Sequence, residues 1–150
     1  MTDDTRANGP HYPGGIDAVL NAFHAAASAA DEERYFACLA SDAIFLGTAP
    51  GERWAGEAFR EFVHSLFSQG KGWTYLSSER TISVAADGRS AWFDERLDND
   101  WYGECRGTGV LRNEGSAWLI EQYALSILVP DEIAPEVVAK VREVRKRRGS

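Results

Sequence analysis

The stretch A-W-F-D-E-R-L-D-N-D, Ala91 to Asp100, opens with strand formers and closes on turn formers. Trp92, Phe93 and Leu97 suit a pleated sheet. Asp94 and Glu95 are neighbours, and neighbouring strand residues point to opposite faces. The two carboxylates therefore cannot serve one site. Whichever faces inward marks the side of the sheet that carries a pocket.

The segments around this strand share its period. Trp73 to Val84 is a long β-rich run that ends at Ala86-Asp87-Gly88. Ser90 to Leu97 follows, then a turn through Asp98 to Gly103. Glu104 to Arg112 is closed by Asn113-Glu114-Gly115, and Ala117 to Val129 comes last. Short turns rich in Asp, Asn and Gly predict antiparallel hairpins, hence a meander.

Upstream the period is helical. Ile16, Leu20, Phe23, Ala27 and Ala30 predict an amphipathic helix from Asp17 to Ala30. Asp31 is a good cap for a short second helix with Tyr35, Phe36 and Leu39, ended by Ser41-Asp42. Ala43 to Gly47 reads as a strand. Phe59, Phe62, Val63, Leu66 and Phe67 fall at i, i+3, i+4, i+7 and i+8, the clearest helix in the chain. Gly70 and Gly72 stop it. Beyond Pro130-Asp131, Pro135 opens a terminal helix with Val137, Val138, Val141 and Val144 on one side. Helices followed by a run of strands predict an α+β fold, with the helices packed on the concave face of a strongly curved, mixed or antiparallel sheet. Such a sheet forms a cone, and the cone encloses a cavity.

Composition narrows the classes. At 150 residues the chain suits one domain with a real core. Apolar content of 44% and charged content of 26% are those of a globular protein. The net charge of −7 argues against nucleic acid as the main partner. Arg142, Arg145, Lys146, Arg147 and Arg148 run against that balance, and read as a solvated helix end that complements the helix dipole. Cys38 and Cys105 make neither a disulfide framework nor a zinc motif and read as reduced, structural thiols. The first residues lack a basic region followed by an apolar run, and no window approaches the ~18 apolar residues of a membrane span, so the expected compartment is the cytoplasm, with no membrane partner. Nucleotide and metal cofactors have no motif, and none is expected.

Several stretches carry a family likeness. They are F-L-G-T-A-P-G-E-R-W-A-G-E-A-F (Phe45 to Phe59), G-K-G-W-T-Y (Gly70 to Tyr75), A-W-F-D-E-R-L, and C-R-G-T-G-V-L (Cys105 to Leu111). W-L-I-E-Q-Y-A-L-S (Trp118 to Ser126) and V-P-D (Val129 to Asp131) complete the set. The chain resembles the SnoaL-like domains of the nuclear transport factor two-like superfamily. The resemblance implies a cone domain over residues 16–131; residues 1–15, rich in Gly, Pro and polar residues, read as a flexible lead, and 132–150 as a terminal helix with a basic end. The resemblance also implies a homodimer. Relatives include isomerases, cyclases, hydrolases, dehydratases, carriers and assembly modules. Gln122 and Ala124 stand where relatives often carry His.

Turn geometry sorts the two carboxylates. If both outer turns are three-residue loops with Gly in the left-handed position, residues 85 and 89 pair, as do 112 and 116. With an even-length middle loop, Arg80, Trp92, Asp94, Gly107, Gly109, Glu121 and Tyr123 share one mostly apolar face, which reads as the cavity wall. Glu95, Arg106, Trp118 and Gln122 share the other, which reads as a subunit interface. Tyr35 and Trp54 are candidates for the cavity's aromatic lining.

Asp94 is then the candidate general base and Tyr123 the hydrogen-bond donor to a developing enolate or alkoxide. Glu121 nearby would raise one carboxylate pKa. The alternative is a buried Asp94–Arg80 ion pair that only satisfies itself. His24 lies at the edge of the first helix's apolar stripe and could reach the cavity mouth. His64 and His11 read as surface groups. The expected ligand is a small apolar or aromatic molecule. The expected activity is cofactor-free proton transfer of the isomerase, cyclase or hydrolase kind. A non-catalytic carrier or sensor, or a dimeric assembly module, are the alternatives.

Overall fold

The structure is a computed structural model and describes residues 15–149. Apart from Gly15, the expected lead lies outside the described residues, as does His11.

Helix α1 (Gly15–Ala29) forms where Ile16, Leu20, Phe23 and Ala27 repeat on one side, and all four are buried. It ends at Ala30, whose positive φ of 55° lets the Asp31 amide turn back to the Ala26 carbonyl. Asp31 then caps α2 (Glu32–Ala37), its side chain accepting from the Arg34 amide. Strand β1 (Leu39–Leu46) follows directly, four residues earlier than the sequence pattern placed it. Ser41 and Asp42 look like a helix stop, yet they sit at an irregularity in the β1–β6 ladder, turned to solvent. A short β2 (Arg53–Ala55) was not anticipated, and it pairs with β1. Helix α3 (Gly56–Phe67) buries Phe59, Val63 and Phe67.

Strands β3 (Leu76–Val84), β4 (Ser90–Asn99), β5 (Gly103–Asn113) and β6 (Trp118–Ile127) form the meander. Strand β1 joins β6 in parallel, giving one unclosed sheet in the order β2-β1-β6-β5-β4-β3. Helix α1 packs on β6, and α3 on β1 and β2. The core between them is aromatic. Tyr35 stacks on Phe23 at 4.8 Å and meets Phe67 edge-on at 5.3 Å, and Phe45 stacks on Phe59 at 5.8 Å. After a 3₁₀ turn (Asp131–Ile133), α4 (Ala134–Arg147) has no buried residue. Its valines lie on the surface.

The register differs from expectation at three turns. The Ala85 amide bonds the Ser90 carbonyl, so the first loop has four residues. Asn113 pairs with Trp118, so the last loop also has four. Asn99 pairs with Gly103, which leaves an odd middle loop. Irregularities in β3, between Ser78 and Thr81, and in β6, beside Glu121, shift the faces again. Strand β4 is therefore turned over relative to expectation. Phe93, Glu95 and Leu97 point inward, while Trp92 and Asp94 point out. A one-residue slip exchanges every side chain between faces.

Two glycines of β5 leave room for their neighbours. A Cβ at Gly109 would strike the Gln122 carbonyl and the Phe93 ring, and one at Gly107 would strike the Tyr123 hydroxyl. Gly107→Ala should destabilise the fold by about 2 kcal/mol, the usual penalty of overpacking. Gly51→Ala, where a Cβ meets open space, should change stability by less than about 0.5 kcal/mol. Urea unfolding of the two variants provides the comparison, and equal effects would disprove the role given to Gly107.

Candidate functional site

Two features lie inside the cone: a buried charge cluster on its floor and a cleft at its rim. The cluster centres on Glu95, which is 1% exposed. Glu95 faces Gly107 across the β4–β5 ladder. With no side chain at Gly107, Tyr123 reaches over β5 from β6 and donates its hydroxyl to Glu95 Oε2 at 2.5 Å. His24 descends from α1 and places Nε2 2.7 Å from the same oxygen. Arg80 completes the set from β3, its Nε donating to Glu95 Oε1 at 2.7 Å. Nη1 of Arg80 continues outward to the Asp17 carboxylate at 2.9 Å.

Arg80 reaches the interior because of the β3 irregularity, where Glu79 adopts a φ of 49°. An ionised carboxylate only accepts hydrogen bonds. With Glu95 ionised, His24 Nε2 and the Tyr123 hydroxyl must both be donors. Burial pushes the Glu95 carboxyl up, but the bond and charge of His24, the Tyr123 bond and the Arg80 charge outweigh it and hold the pKa below the ordinary 4.5. Burial, then the Glu95 charge, push the Tyr123 hydroxyl strongly up, so it keeps its proton.

The cleft has a volume of about 170 Å³. Phe45 of β1, Phe62 of α3 and Leu125 of β6 form its walls, with Trp73 and Tyr75 from the approach to β3 and Tyr102 from the β4–β5 turn. Gly47, Thr48 and Glu52 of the β1–β2 loop complete it. Burial, then Cys105, Tyr102 and Glu52, push the Tyr75 hydroxyl strongly up. Among the described residues no three His, Cys, Asp or Glu side chains converge to hold a metal ion. No described helix is long and apolar enough to cross a membrane.

The sequence-derived candidates fall into place unevenly. Arg80 and Tyr123 meet in the interior. Asp94, expected in the cavity, lies opposite Thr81 and Thr108 on the outer face, exposed because β4 is turned over. Trp92 is 51% exposed on that same face. Glu121, also expected inside, sits at the β6 irregularity and pairs with Arg112 at 3.4 Å. Glu95 and Trp118, expected at an interface, are both buried in the interior. Arg106 and Gln122 do occupy the outer face. Tyr35 is fully buried away from the cleft, its hydroxyl without a partner among the described residues. Trp54 stacks on Phe62 at 4.3 Å, behind the cleft wall. His64 pairs with Glu32 on the surface. Glu95 as the interior acid and Phe45, Phe62, Tyr75, Tyr102 and Glu52 as cleft residues were not singled out. The available signal for Phe62 was its place on the apolar stripe of α3.

Residues 16–130 match the SnoaL-like domain, which is most of the chain. The chain belongs to the SnoaL-like domain family. Among curated proteins, none matches this sequence significantly. Solved structures share the fold. One is a protein of unknown function with a cystatin-like fold from Nostoc punctiforme, with 19% identity over 77% of this chain and 90% of that one and a TM-score of 0.62. Another is a nuclear transport factor two-like protein of unknown function from Pseudomonas putida, with 17% identity over 78% and 87% of the two chains and a TM-score of 0.62. A ketosteroid isomerase-like protein from Erwinia carotovora has 22% identity over 77% and 95%, with a TM-score of 0.56. At such identities the likeness concerns the fold alone.

In this SnoaL-like domain the Glu95 cluster has a calculable pH signature. Its folded pKa lies below its unfolded value, so the stability it contributes is present above about pH 4.5 and is lost as pH falls through the folded value. Glu95→Gln should cost about 3 kcal/mol at pH 7, as removing one partner from a buried ion pair does. It should also flatten the acid limb of stability against pH. Asp94→Asn should leave both unchanged. Urea denaturation of the three proteins between pH 3 and pH 7 provides the check.

Proposed function

We propose that this SnoaL-like domain binds a small, largely aromatic or apolar molecule in the rim cleft. The observation that supports the reading is the convergence of six apolar or aromatic residues, Phe45, Phe62, Trp73, Tyr75, Tyr102 and Leu125, from five parts of the fold. A few polar groups among such walls are the usual composition of a ligand site. At about 170 Å³ the cleft is smaller than the roughly 300 Å³ at which drug-sized pockets begin, so the occupant is small.

Binding is favoured over proton transfer. Asp94 is outside the cone, and Glu95 is sealed with its oxygens engaged by Arg80, His24 and Tyr123. A general base needs a free lone pair within hydrogen-bond reach of the substrate. None of these five residues lines the cleft. The cluster reads as the scaffold that fixes its floor.

Saturation-transfer NMR with indole as the probe tests the cleft. Transfer should be clear with the wild-type protein and lost in Leu125→Trp, whose larger ring fills the space, while the melting temperature is retained. Equal transfer in the two proteins would move the site elsewhere.

The same reading includes a homodimer through the outer sheet face. Trp92, Val110 and Gln122 lie in one row across β4, β5 and β6, and a half-exposed Trp on a sheet face favours a protein partner. Sedimentation velocity should give a dimer that Trp92→Asp converts to monomer. A wild-type monomer would refute it.

A further inference from the structure

We infer that the cleft selects a small organic cation, an ammonium or quaternary ammonium group held among its rings. This rests on the reading of the cleft as a ligand site and adds the chemical class of the ligand.

The cleft continues into a groove of about 410 Å³, with which it shares Trp73, Tyr75 and Tyr102. Lining residues with a formal charge at neutral pH are Glu52 in the cleft and Asp98 and Asp100 in the groove. No Lys, Arg or His lines either space. Several other carboxylates near the sheet have cationic partners: Glu95 and Asp17 share Arg80, Glu104 pairs with Arg96, and Asp42, Glu114 and Glu121 share Arg112, while Asp94 on the outer face has none among the described residues. Glu52, Asp98 and Asp100 have no Lys, Arg or His partner among the described residues. Glu52 accepts the Ala49 amide at 3.0 Å, and the formal charge that lines the two spaces beside the aromatic walls is negative.

The rings point to the same class. The face of an aromatic ring is electronegative and attracts a cation within about 6 Å of its centre, most strongly when both are shielded from water. Trp101, at the tip of the β4–β5 turn, is 85% exposed and adds a further face to the groove. That turn is held in shape by Asn99, whose side-chain oxygen accepts from the Trp101 and Tyr102 amides. Folding does not account for an indole in that position, because it buries almost nothing there. A neutral apolar ligand would gain from the rings but would cover Glu52 without compensating it. An anion would meet the negative charge of Glu52 in the cleft and of Asp98 and Asp100 in the groove. A cation gains from the rings and from the acids.

Three molecules of nearly one shape separate these cases: choline, the neutral 3,3-dimethylbutan-1-ol and the anionic 3,3-dimethylbutanoate. Titrations followed by NMR should give choline an affinity at least about tenfold above the alcohol, with no binding of the butanoate. Glu52→Gln, a near-isosteric change, should weaken choline by about fivefold and leave the alcohol unaltered. Tyr102→Leu should weaken choline more than the alcohol. If the alcohol binds as well as choline, charge selection is wrong and the ligand site stands. If indole binds but choline does not, the cation inference fails alone. If neither choline nor indole binds, both readings fall.

Discussion

A single buried carboxylate sets the constraints on the rest of this fold. Glu95 lies in the interior, where an isolated ion would cost several kcal/mol. Its three donors come from α1, β3 and β6, elements far apart in the chain. The charge is tolerable only once helix, edge strand and last strand are all in place. That requirement disfavours partly assembled alternatives in a way that apolar contacts, which accept many partners, do not. Gly107 belongs to the same arrangement, because the Tyr123 hydroxyl occupies the space its side chain would fill.

This arrangement separates the jobs of the polar residues. The Glu95, His24, Tyr123 and Arg80 constellation is turned inward and satisfied. Glu52, Tyr75 and Tyr102, which take no part in that cluster, line the cleft. The cleft lies where strands, a helix and connecting segments meet, and the charge cluster lies apart from it in the interior.

Much of the architecture was legible in the sequence. The change from a helical to a two-residue period at Gly72, the Asp31 cap and the Phe59–Phe67 stripe locate most of the elements. The site was less legible because faces depend on parity. Ala86-Asp87-Gly88 suits a three-residue loop, but Arg89 also belongs to it, and that one residue moves Asp94 outside and Glu95 inside. No local pattern announces the β6 irregularity that carries Trp118 and Ile120 to the core face along with Tyr123. Arg80 was placed on the inner face through a regular ladder, and it lies there through an irregular one. The cleft was hidden for another reason. Its walls come from β1, α3, β6 and two connecting segments, and such convergence is a property of packing rather than of spacing.

The irregularity at Glu79 and Arg80 also bears on how the molecule behaves in a crowded solution. Strand β3 is the last in the sheet and presents its outer hydrogen-bonding groups to water. A straight edge of that kind is a template for uncontrolled strand addition between molecules. The left-handed residue at Glu79 interrupts the ladder midway along the strand, and its exposed carboxylate adds charge at that point. The distortion that delivers a guanidinium to the interior therefore also guards the open edge against aggregation.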